Sequence, residues 1–207
     1  MPHLIGVLGG KGGVGKSTFA VNYAIATAVD TKTKVCLLDM DPRACGDMAM
    51  LLGIRPKRTL MELGSYDGRV DASALATYVS PHPSGVFYIP SVLDPDQLAT
   101  FDPNQVQKAI QHLMQSFNVL VVDLGSDLDA CGAKALESSS LIYVVTMPEV
   151  IVLHHTRRII EKVQNLLFPM EMIKVVLNRI SASRGITPPM IQGNLKKTIL
   201  AVIPDSL

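Results

Sequence analysis

Eight consecutive residues, Gly10-Lys11-Gly12-Gly13-Val14-Gly15-Lys16-Ser17, carry the clearest chemistry in the chain. They fit the pattern G-x-x-x-x-G-K-[ST], and each position has a physical reason. Glycines let the backbone curl until successive N–H groups point inward at phosphate oxygens. A helix starting near Lys16 would aim its positive end at the same anion. Lys16 would neutralise charge on the β- and γ-phosphates, and Ser17 would offer a hydroxyl to Mg²⁺. Thr18 is placed to donate to the α-phosphate. The apolar run Leu4-Ile5-Gly6-Val7-Leu8 reads as a strand before the loop, and the residues after it read as a helix. That is the context the motif requires, so ATP with Mg²⁺ is the expected ligand.

Acidic residues close two further apolar runs. Val35-Cys36-Leu37-Leu38 ends in Asp39-Met40-Asp41-Pro42, and Val119-Leu120-Val121-Val122 ends at Asp123. A carboxylate at the end of a strand sits where open α/β sheets bind their ligands. Asp123 occupies the position that holds Mg²⁺ directly or through water in phosphate-loop proteins. Without that loop, Asp41-Pro42 would read as an ordinary turn. Asp127 and Asp129 read as solvated loop carboxylates or helix caps.

Short strands alternating with longer helices must position these groups. Val86 to Ile89, Leu141 to Thr146 and Ile173 to Leu177 read as further strands, with Thr198 to Ile203 as the last. Helices are expected over Lys16 to Val29, Asn104 to Ser116 and Val150 to Leu167. The strands are continuous apolar runs, which indicates burial on both faces of a sheet. The fold class is therefore α/β, a doubly wound, mostly parallel sheet flanked by helices, forming a single domain over residues 1–207. Arg55 to Pro95 is the least regular stretch and is expected to pack as short helices on the edge.

Composition narrows the function classes. Formal net charge is +1, which provides no overall field for nucleic acid or an anionic membrane. Cys36, Cys45 and Cys131 have no metal-ligand spacing and read as reduced thiols. The start of the chain lacks the pattern of a secretory signal, and no apolar run is long enough to span a membrane. A cytoplasmic location follows, with recruitment to a cell pole or the inner face of the membrane left open. His3, His82, His112, His154 and His155 form no ligand pattern, and the ten methionines read as core filler.

The second lysine of the loop, Lys11, sharpens this reading. GKGGVGKST resembles the deviant Walker A motif of the MinD/ParA family. The resemblance implies an ATP-dependent homodimer in which Lys11 reaches the partner's phosphates. It also implies that Asp41 positions the attacking water, that Asp39 supports Mg²⁺ through water, and that the N–H of Gly125 meets the γ-phosphate. Asn178 would pair with the adenine edge, whose paired donor and acceptor an amide can match. Arg179 would lie over the ring, and Pro204-Asp205 would form a second base-contacting turn.

Within the family, Asp39-Met40-Asp41-Pro42-Arg43-Ala44-Cys45-Gly46-Asp47-Met48-Ala49 resembles a segment of the CpaE/TadZ ATPases of pilus assembly. Pro56 to Leu60, His82 to Val86, and Asp123 to Asp129 resemble the same branch. The branch's receiver-like domain and the basic amphipathic membrane helix of MinD-like members have no counterpart in these residues, which fits a short protein or a core fragment. The implied function is a slow ATPase switch that localises or assembles a pilus or secretion apparatus. MinD/FlhG-like or ParA-like spatial regulation of division, flagella or DNA partition is the alternative, as is a scaffold that binds nucleotide without turnover. Pilus or secretion-system proteins are the implied partners. The pairs Arg157-Arg158 and Lys196-Lys197 are too small to argue for DNA.

Overall fold

A computed structural model describes residues 2–41, 44–68, 70–94, 96, 102–181 and 185–205. The first strand, β1 (His3–Leu8), leads through the glycine loop into α1 (Lys16–Thr31). There follow β2 (Val35–Asp39), α2 (Asp47–Leu52), α3 (Leu60–Ser65), α4 (Ala72–Ala76), β3 (Ser80–Pro81) and β4 (Val86–Pro90). Then come α5 (Pro103–Met114), β5 (Val119–Asp123), α6 (Ala130–Leu136), β6 (Ser139–Thr146) and α7 (Val150–Asn165). The chain continues through β7 (Ile173–Ile180), α8 (Pro188–Leu195) and β8 (Ile199–Pro204).

Among the described residues all eight strands join one sheet in the order β3-β4-β2-β5-β1-β6-β7-β8. Every pairing is parallel except β3 with β4. The apolar runs explain why. In β5, Leu120 and Val122 enter one core while Val121 enters the other, so both sheet faces must be covered. α1 and α2 contribute to the core on one face through Val21, Ala24, Met48 and Leu52. α3, α5, α6 and α8 contribute to the opposite core, with Leu63, Ile110, Leu136 and Ile191 among their buried residues. The expected doubly wound α/β architecture is present.

Local chemistry starts several helices. Thr59 and Glu62 form a reciprocal capping box at α3. Asp71, Asp102 and Asp129 each cap a helix with a side-chain oxygen. The irregular stretch forms α3, α4 and the edge strand β3, as short elements at the side of the sheet. Three helices are not foreseen by the sequence pattern. α2 and α6 are only six and seven residues long, and α8 opens on two prolines, which mask its start. The strand β8 departs from the pattern too: although apolar, it leaves Leu200 and Val202 about half exposed because β7 is its one strand neighbour.

Candidate functional site

Three adjacent strands bring the phosphate loop and the acidic residues together. β2, β5 and β1 lie side by side, and Asp39 is paired in register with Asp123, which is paired with Val7. The chain then crosses from strand to strand at their carboxyl ends. Met40 N–H donates to the Asp123 carbonyl at 2.8 Å, and Leu124 N–H to the Val7 carbonyl at 2.9 Å. β6 starts a second direction on the other side of β1, so the loop sits at the point where strand order reverses.

Gly15 begins α1 in the left-handed region, with φ 92°. That turn aims the free N–H groups of the first helical turn into a cleft of about 420 Å³. The cleft is lined by the loop, by Asp47, Met50 and Leu51 of α2, and by Arg179. Lys16 is buried, and its ammonium donates to the Lys11 carbonyl at 3.3 Å. Lys11 itself is exposed.

The carboxylates beneath the loop form an electrostatically loaded pair. Burial pushes Asp39 up to about 8, with the neighbouring Asp123 charge adding to the effect. Its Oδ1 accepts from Asp41 N–H at 3.1 Å, and its Oδ2 from the Tyr88 hydroxyl at 3.3 Å. Burial also raises Asp123, against the pull of the Ser17 hydroxyl, Gly125 N–H and the Lys16 ammonium. One Asp123 oxygen, Oδ2, is buried without a well-formed hydrogen bond. An orphaned carboxylate oxygen beside a second acid and a serine hydroxyl is short of a cation. Mg²⁺ fits: it favours oxygen ligands and takes few from protein, filling the rest with phosphate and water. Among the described residues no trio of histidine, cysteine or carboxylate side chains forms a fully protein-built metal site.

Asp41 is drawn against the backbone that follows Asp123. A Cβ placed on Gly125 would stand 2.6 Å from Asp41 Oδ2, and Gly125 has φ 68°. Only glycine meets both conditions without strain. The Gly125 N–H is turned back onto Asp123 Oδ1 at 3.1 Å.

The residues expected around a base lie at the ends of β7 and β8. Arg179 adopts φ 52°, an uncommon conformation for a non-glycine residue. Asp205 N–H donates to the Ile180 carbonyl at 3.0 Å, which pins Pro204-Asp205 beside Asn178-Arg179. Asn178 reaches across to the phosphate loop, where Nδ2 donates to the Val14 carbonyl at 2.9 Å. Its Oδ1 accepts from Arg179 N–H at 3.0 Å. The amide therefore braces the loop, a contact absent from the sequence reading. A second was α7: a Cβ on Gly10 would lie 2.3 Å from the His155 carbonyl carbon. No sequence signal marks that approach, because it involves backbone.

Other expectations resolve simply. Asp129 caps α6, and Asp127 pairs with Lys162 at 3.2 Å. The three cysteines are free thiols. Pro42 and Arg43 lie outside the described residues.

Fold and site together define a P-loop nucleotide-binding α/β protein. The chain matches the CobQ/CobB/MinD/ParA nucleotide binding domain over residues 5–206, and it belongs to that family. It is 28% identical over 214 residues to the septum site-determining protein MinD of Thermotoga maritima, covering 100% of this chain and 76% of that protein. It is 31% identical over 150 residues to the antiactivator FleN of Pseudomonas aeruginosa, covering 71% of this chain and 51% of that protein. A ParA family ATPase from Chlorobium tepidum superposes with a TM-score of 0.90 at 26% identity, over 99% of this chain and 84% of that one. No helix among the described residues is long and apolar enough to cross a membrane.

Proposed function

We propose that this chain is a slow Mg-ATP hydrolase whose bound ATP assembles two copies into a switch. The observation that carries this reading is the gathering of acids beside the lysine and serine that line the cleft: Asp123 feels the Ser17 hydroxyl, the Lys16 ammonium and the Asp41 charge, and one of its oxygens is buried and short of a cation. The loop and Thr18 bind the phosphates. Ser17, supported by Asp123 and Asp39, would hold Mg²⁺, which would supply charge neutralisation to the phosphates. Asp41 orients the attacking water. The Gly125 N–H is released from Asp123 to meet the γ-phosphate, and Asn178, Arg179 and Pro204-Asp205 face the base.

Exposed Lys11 is free to reach a second copy, as the deviant Walker A reading requires. Apolar side chains on the same rim support a face-to-face dimer. Met50 and Leu51 border the cleft, and Val150 and Ile151 follow the end of β6; all four are more than half exposed. Hydrolysis removes the γ-phosphate contacts and loosens the dimer. Phosphate release and light scattering in Mg-ATP test this. Wild type should turn over slowly and dimerise, whereas Asp41→Ala should dimerise and release no phosphate. Equal background rates for both would leave a nucleotide-bound scaffold.

What the switch positions has two readings. Residues 39–49, 56–60, 82–86 and 123–129 resemble the CpaE/TadZ branch and support pilus or secretion assembly. A MinD/FlhG-like or ParA-like spatial regulator of division, flagella or DNA partition is the other reading, and similarity to septum site-determining MinD, to the antiactivator FleN and to a ParA family ATPase supports it equally well. Recruitment to a pole or membrane face is part of both readings.

A further inference from the structure

A cleft of about 660 Å³ opens at the opposite end of the sheet from the base-facing strands. It lies against β3, the outermost strand, with β4, β2 and β5 separating it from β1. Its walls are the segment after α2 (Ile54, Arg55, Lys57, Arg58), the end of α4 (Ala76, Thr77) and Val79 to Pro81. Among the described residues three cations line it, and no carboxylate does. Arg55 and Lys57 are exposed, and neither side chain makes an ion pair or hydrogen bond among the described residues. The Arg58 guanidinium is fixed over the Tyr78 ring, 4.8 Å from its centroid.

Unpaired cations in a concave, preformed site are an electrostatic template for an anion. We propose that this cleft docks an acidic peptide segment of a partner protein. Guanidinium groups match carboxylates bidentately, and Arg58 is already held in place by its aromatic platform. Ile54, Val79 and Pro81 add an apolar wall, and Thr77 and Ser80 add hydroxyls; together they suit a polypeptide with mixed side chains. Single-stranded nucleic acid fits less well. Tyr78, the aromatic residue at the site, is 6% exposed and covered by Arg58, so it offers no base a stacking surface.

Fluorescence polarisation with a labelled decaglutamate peptide at low salt tests the proposal. Wild type should bind saturably, and added salt should weaken the binding. Arg55→Glu/Lys57→Glu should weaken it by about tenfold or more, as expected when charge complementarity is reversed. Lys32→Glu/Lys196→Glu makes the same change in net charge at exposed lysines elsewhere and should leave affinity within about twofold. If the glutamate variant fails to fold, Arg55→Ala/Lys57→Ala reports the same loss. Lack of saturable binding, or equal losses in both double variants, overturns the site. An oligothymidylate that displaces the peptide at lower concentration overturns the choice of ligand.

Discussion

Asp39 shows how a single buried acid stores a condition for ligand binding. In the folded chain it gives up its proton only near pH 8, whereas an unfolded aspartate ionises near 3.8. The folded state therefore holds more protons between those values, and stability falls as pH rises through that window. Thermal melts of the nucleotide-free protein should show the melting temperature dropping from pH 5 to pH 8. Asp123, also raised by burial, contributes to the same slope, so Asp39→Asn should flatten part of it, and a slope unchanged by the substitution would remove Asp39 as a cause. A shift of about 2–4 °C per kcal/mol is the scale for a chain of this size. At this scale the sequence was informative where chemistry follows residue type. Lys16, Ser17 and Asp123 could be read from motif and strand end alone. The Tyr88 bond to Asp39 could not, because it joins residues 49 positions apart.

At the scale of elements, the loop is held from two sides by groups that no motif contains. α7 presses its backbone onto Gly10, and Asn178 at the end of β7 bonds the Val14 carbonyl. Gly10→Ala would place a methyl group against the His155 backbone, which cannot rotate away. The cost should be about 1–3 kcal/mol, typical of overpacking a tight contact. Denaturant unfolding checks this, and an unchanged midpoint would show that α7 can retreat freely. Periodicity revealed α1, α5 and α7 because each is long enough to repeat an apolar face. It missed α6, whose seven residues give it little to repeat. The contacts of Gly10 and Gly15 were illegible for a different reason: a glycine looks the same in sequence whether it bends the chain or makes room for a neighbour.

Across the whole molecule, the sheet has two unlike ends. β3 is a two-residue strand ending in an exposed proline, beside the cationic cleft, and it offers little template for pairing. β8 presents Ile199-Leu200-Ala201-Val202-Ile203 without a charge. An apolar edge of that kind recruits other strands. Gentle heating of residues 1–207 should produce thioflavin-positive aggregates, and Leu200→Lys/Val202→Lys should delay them severalfold. Identical lag times would place the aggregating segment elsewhere. The parallel order of the sheet could be foreseen from continuous apolar strands. The exposure of β8 could not, because an apolar run reads the same in the middle of a sheet as at its edge.

The brace between Asn178 and the phosphate loop also limits how such a chain can drift. A methyl group on residue 15 would stand 2.3 Å from Asn178 Nδ2, so the amide would have to leave Val14 to admit it. Positions 15 and 178 are therefore a single heritable unit. A change at Asn178 reaches the phosphate loop, and an enlarged loop must relinquish its partner on β7. Drift at either position would have to pass through variants that keep this contact, or through a compensating pair of substitutions made together.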